Sequence, residues 1–77
     1  TTMNGKFRYL VEGITKDIAI YIMQDDETID LPTALNMFHN SEAFNKLMLE
    51  ESGLHVESSA YVYELYLSEV QRGRLKL

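Results

Sequence analysis

The sequence predicts an all-α fold, a compact orthogonal or irregular bundle of about four helices, and three features carry that prediction. Apolar residues recur at spacings of three and four, capping residues stand where those runs begin, and period-two alternation fails. With 77 residues the chain has material for one core, so residues 1–77 are read as one domain. A chain this short buries only roughly 60–65% of the surface that its unfolded form exposes, which makes self-association, including a homodimer, an expectation from size alone.

The first helix is predicted over about residues 4–24, where Phe7, Leu10, Val11, Ile14, Ile18, Tyr21 and Ile22 share one face. The uninterrupted run from Ile18 to Met23 widens that stripe, so other helices or a partner should surround this end. Gly13 costs roughly 1 kcal/mol against alanine in a helix interior and is read as a close approach or a slight bend. Asp25, Asp26 and Glu27 stand where the helix dipole prefers positive charge and help to end the helix. Asp30 then caps a second helix, about 31–39, with Pro32 in its first turn and Ala34, Leu35 and Phe38 inward. Ser41 or Asn40 caps a third, about 42–50, carrying Ala43, Phe44, Leu47 and Met48, with Gly53 placed for a left-handed cap. The segment 54–57 is too short to assign to an element, and an extended stretch is one reading of it. Ser58 or Ser59 caps the last helix, about 60–72, whose Tyr61, Val62, Tyr63, Leu65, Tyr66, Leu67 and Val70 make an unusually wide apolar surface.

Composition excludes several classes of function. Without cysteine there is no disulfide, thiol nucleophile or thiolate zinc site. The net charge is −5, and residues 1–70 carry four basic against twelve acidic side chains, a balance that repels phosphate backbones. The basic residues Arg72, Arg74 and Lys76 crowd the end of the chain but are too few to reverse it. Apolar runs fall well below a membrane-spanning length, and no signal-like leader is present, so the cytoplasm of a bacterium is the expected location, with no membrane partner.

Each polar feature has a bland reading that outweighs the chemical one. His39 sits at the end of the second helix, where a capping or surface role is expected. His55, Glu57 and Ser58 form a polar loop, yet a zinc site would need both histidines plus carboxylates, and no HExxH pattern occurs. Asp25, Asp26, Glu27 and Asp30 lack the glycine and terminal glutamate of a calcium loop. Ser52, Ser58 and Ser59 lie near His55 in sequence, but no nucleophile-elbow glycines surround them, and helix capping explains them. No catalytic residue, cofactor, metal or small molecule is therefore implied, and the chain is read as not an enzyme. A recognition helix over 41–49 would present Glu42, Asn45, Lys46 and Glu50, a poor reader of a major groove.

Five tyrosines are the compositional oddity, with Tyr61, Tyr63 and Tyr66 inside six residues. Core packing explains Tyr61 or Tyr66, whereas Tyr63 points roughly 200° from Tyr61. Tyr63, Leu67, Tyr66 and Val70 are accordingly the predicted interface.

The run Ala34 to Ser41 with Phe44, Lys46 and Leu47, followed by Gly53, Leu54, Ser58, Ser59 and the Tyr61, Val62, Tyr63, Glu64 run, resembles a family of small all-helical bacterial proteins, a domain of unknown function. The likeness covers roughly Tyr9 to Val70, through an N-S-x-x-F/Y-x-K-L segment and a G-L-x-x-x-S-x-x-Y-V-Y segment. It supplies no catalytic residue. The chain is also similar in size and character to short helical proteins encoded beside toxin-like genes, which implies an accessory or antitoxin-like role. The leading expectation is a non-enzymatic protein–protein interaction or accessory protein, and the alternative is a small transcriptional or nucleic-acid regulator whose dimer aligns Arg72, Arg74 and Lys76.

Overall fold

The computed structural model describes residues 5–76, with side chains described for 5–73, and every regular element among them is helical. The helices are α1 (Gly5–Asp25), α2 (Leu31–His39), α3 (Glu42–Leu47) and α4 (Ser59–Lys76). Two 3-10 turns, Glu50–Ser52 and Leu54–Val56, join α3 to α4. This is the all-α bundle of four helices that the residue spacing predicts.

Local chemistry explains most of the boundaries. Asp30 holds an extended backbone conformation and accepts a 3.0 Å hydrogen bond from the Thr33 amide, while Pro32 occupies the first turn, where no N–H is missed. α2 therefore begins and ends at the residues expected. After α1, Asp26 accepts from both the amide and the hydroxyl of Thr28, at 3.0 and 2.6 Å, and this side-chain turn reverses the chain. Ser41, not Asn40, caps α3 by accepting from the Phe44 amide at 3.1 Å, and Ser58, not Ser59, caps α4 by accepting from the Tyr61 amide at 3.1 Å.

Three expectations need correction. The third helix stops at Leu47 instead of running to residue 50. The Lys46 carbonyl accepts from the Leu49 amide at 3.1 Å and from the Ser52 hydroxyl at 2.6 Å, and Leu49 turns to an extended conformation. Gly53 does adopt the left-handed conformation, φ 74°, but it closes the 3-10 turn and not α3. Residues Leu54–Val56, which the sequence leaves unassigned, form a second 3-10 turn, with Leu54 drawn into the core and the His55 ring edge-on to Phe7 at 4.8 Å. Gly13 makes no close approach: it faces solvent, with no heavy atom within 4 Å of where a Cβ would stand. The start of the first helix at Asn4 lies outside the described residues.

The core runs along α1 through Phe7, Val11, Ile14, Ile18, Ala19 and Ile22. Ala34 and Phe38 of α2, Ala43 and Leu47 of α3, Leu54, and Val62 and Tyr66 of α4 close around it. Phe38 is its hub, meeting Phe44 at 5.5 Å and Tyr66 at 5.8 Å in edge-to-face geometry. α1 and α2 are joined by a short turn and pack together, and α4 packs back onto α1.

Candidate functional site

α1 faces two different neighbours on its two flanks. On one flank Asp17 accepts from the Ser59 hydroxyl at 2.6 Å, and the Tyr21 ring meets Tyr63 at 5.1 Å. The Tyr63 hydroxyl donates to Asp25. Burial first, and then the Asp25 carboxylate, hold the Tyr63 phenol well above its ordinary pKa; Tyr66 is raised too, by burial and then by the Glu69 charge. α4 thus seals this side.

The other flank is left open by the described residues. Arg8, Glu12 and Lys16 lie roughly 160° round α1 from Asp17 and Tyr21, counting 3.6 residues per turn. Together with Val11 and Thr15 they form one wall of a groove of about 500 Å³. Leu31, Leu35 and His39 of α2, with Phe44 and Met48 from α3 and its end, form the other. Leu31 and Met48 remain 46% and 37% exposed, so apolar surface continues from the floor to the rim. His39 stacks edge-on against Phe44 at 4.8 Å, which fixes its ring at the far end of the α2 wall. Thr15 lies at the junction of groove and core: it is 7% exposed, and its Oγ1 is buried without a hydrogen-bond partner among the described residues. Such an orphaned hydroxyl costs about 1–3 kcal/mol, so this wall of α1 is not optimised for stability.

The residues singled out from sequence fall mostly elsewhere. Tyr63, Leu67, Tyr66 and Val70 do come together, beside Ile22, Ile29 and Met37, around a shallow hollow of about 180 Å³. Tyr66 of this set is only 5% exposed, its ring packing into the core against Phe38. Tyr63, Leu67 and Val70 are half-buried against the same core. Tyr61, the other candidate for the core, faces solvent.

The polar loop does not assemble as a unit. His55 turns inward, with Nδ1 buried and unpartnered among the described residues, while Glu57 and Ser58 are exposed. The Ser58 hydroxyl serves as a helix cap, Ser59 bonds Asp17 and Ser52 bonds the Lys46 carbonyl, so each of the three serines is occupied away from His55. Among the described residues no three histidine, aspartate or glutamate side chains converge so as to hold a metal ion. No described helix is long and apolar enough to cross a membrane. Arg72 is exposed on α4, and the side chains of Arg74 and Lys76 lie outside the described residues.

Sequence reasoning missed one polar device that shapes the groove's far wall. Glu69 of α4 accepts from the amides of Glu42 and Ala43 at 2.8 and 2.9 Å, capping α3 from another helix. With Ser41 holding the next amide, this carboxylate stabilises a six-residue helix that is too short to stand alone. Phe44 and Met48 are thereby held in place on the groove's far wall. No family model, no curated protein and no solved structure matches this chain.

Proposed function

We propose that this protein is a non-enzymatic interaction module whose partner seats in the groove between α1, α2 and α3. The observation that carries the reading is apolar surface left open on a built concavity. Leu31, Leu35, Phe44 and Met48 line about 500 Å³ on a chain that has already closed a complete core. Concave apolar sites with a few polar groups at the rim are where proteins take ligands and partner segments. In this reading the α4 surface around Tyr63 and Leu67 holds the fold together, and the groove replaces it as the contact surface. An acidic chain without cysteine suits the cytoplasm, where the proposal places it.

The test is affinity isolation from native cells with the wild-type chain, a Leu31→Ser/Met48→Ser variant and a Tyr61→Ser variant. All three substitutions sit on exposed residues and should leave the fold intact. The groove variant should lose partners that the other two retain. Equal recovery by all three would place the contact elsewhere.

A further inference from the structure

The charge and length of the groove name the kind of partner. The reasoning rests on the groove being the contact surface, and it adds which chemistry fills it. Residues 1–70 hold only four basic side chains among twelve acidic ones, yet Arg8 and Lys16 both stand on this rim, with His39 opposite and Glu12 as the one carboxylate. Among the described residues no ion pair engages Arg8 or Lys16, so no described carboxylate neutralises their charge. Their long stems can lie along apolar cargo while the charged ends reach carboxylates. An otherwise acidic protein thus presents a local cationic edge beside an apolar floor.

Length narrows the choice further. Arg8, Glu12 and Lys16 repeat at every fourth position along α1, as Leu31, Leu35 and His39 do along α2. Each row spans eight residues, about 12 Å at 1.5 Å per residue. That is roughly two turns of a third helix, the span over which anchors at i, i+3 or i+4, and i+7 reach one groove. Two helical walls with a concave floor receive a rod, whereas a flat bilayer surface would leave Val11 and Leu35 uncovered. We infer that the groove binds an acidic amphipathic helix of a partner protein, its apolar stripe on Val11, Leu35 and Phe44 and its flanking carboxylates against Arg8 and Lys16. Complementary charge at such a rim sets specificity and association rate more than total affinity.

Two fluorescein-labelled helical peptides test this on the full chain. Both carry the same leucine stripe at i, i+4 and i+7; one has glutamates at the flanking positions and the other lysines. Fluorescence anisotropy at low salt should show the glutamate peptide binding about tenfold more tightly, although the net charge of −5 favours the lysine peptide. Arg8→Glu/Lys16→Glu, which alters two exposed residues, should invert that order with an unchanged circular dichroism spectrum. If the lysine peptide binds wild type more tightly, or the charge reversal leaves the order alone, the acidic partner is overturned while groove binding survives, provided that Leu31→Ser/Met48→Ser still weakens both peptides. Binding that ignores the Leu31 and Met48 changes, or no binding of either peptide, overturns the groove as well. Anionic phospholipid vesicles that bind the chain in an Arg8- and Lys16-dependent way, without peptide binding, would assign the edge to a lipid surface and overturn the inference.

Discussion

The two flanks of α1 obey the same periodicity but end differently. Toward α4 the polar groups find partners inside the chain: Asp17 with Ser59, Asp25 with Tyr63, and the Tyr21 ring on the Tyr63 ring. Toward α2 and α3, by contrast, Arg8 and Lys16 form no ion pair among the described residues, the Thr15 hydroxyl is orphaned, and Leu31 and Met48 stay half in water. α4 covers one flank of the long helix, and no described element closes over the second. The difference teaches that an internal contact consumes polar side chains as well as apolar ones. A flank where both kinds remain unspent is the better candidate for a partner.

The sharpest way to break the comparison is at the residue both flanks share. Phe38 touches Phe44 on the groove side and Tyr66 on the sealed side, and it is fully buried. Phe38→Ala should cost about 3–5 kcal/mol in urea unfolding, most of the stability expected for a domain of this size. Next in size is the cap that holds the groove's far wall. Glu69→Ala should cost about 1–2 kcal/mol in the same assay, by freeing the Glu42 and Ala43 amides. If Glu69→Ala left stability unchanged, α3 would be held by packing alone.

The sealed flank should also show itself through pH. The phenols of Tyr63 and Tyr66 are raised in the folded state, so the fold favours their protonated forms. Their contribution is whole below the unfolded phenol value and shrinks as pH climbs past about 10, where the unfolded chain ionises first. Stability should therefore fall on the alkaline side, and Tyr63→Phe should flatten that decline. An identical alkaline limb in the variant would contradict the seal at Asp25. The smallest effect is expected at the groove floor, where Thr15→Val should stabilise the chain by up to about 1 kcal/mol by removing an orphaned hydroxyl.

What could be read from the sequence was whatever neighbouring residues decide among themselves. Asp30, Leu31 and Pro32 are adjacent, so the start of α2 was legible; the aspartates after α1 were equally local. The end of α3 was not, because it depends on the Ser52 hydroxyl reaching back six residues to the Lys46 carbonyl. The cap from Glu69 was not legible either, since the amides it holds lie 27 and 26 positions earlier. Helical period placed Tyr61 and Tyr66 on comparable terms, and only the packing of Phe38 selects Tyr66 for the core. The groove itself was invisible for a related reason. Arg8 and Lys16 fall outside the apolar stripe of the first helix and Leu31 reads as a helix start, and nothing in their spacing says that three helices leave a gap between them.

The most direct test of the open flank follows backbone amide resonances during titration with the glutamate-bearing helical peptide. A partner seated in the groove should concentrate the shifts at Val11, Thr15, Leu35 and Phe44 and leave Tyr21, Ser59 and Tyr63 unmoved. Shifts centred on α4, or spread evenly over the chain, would contradict it.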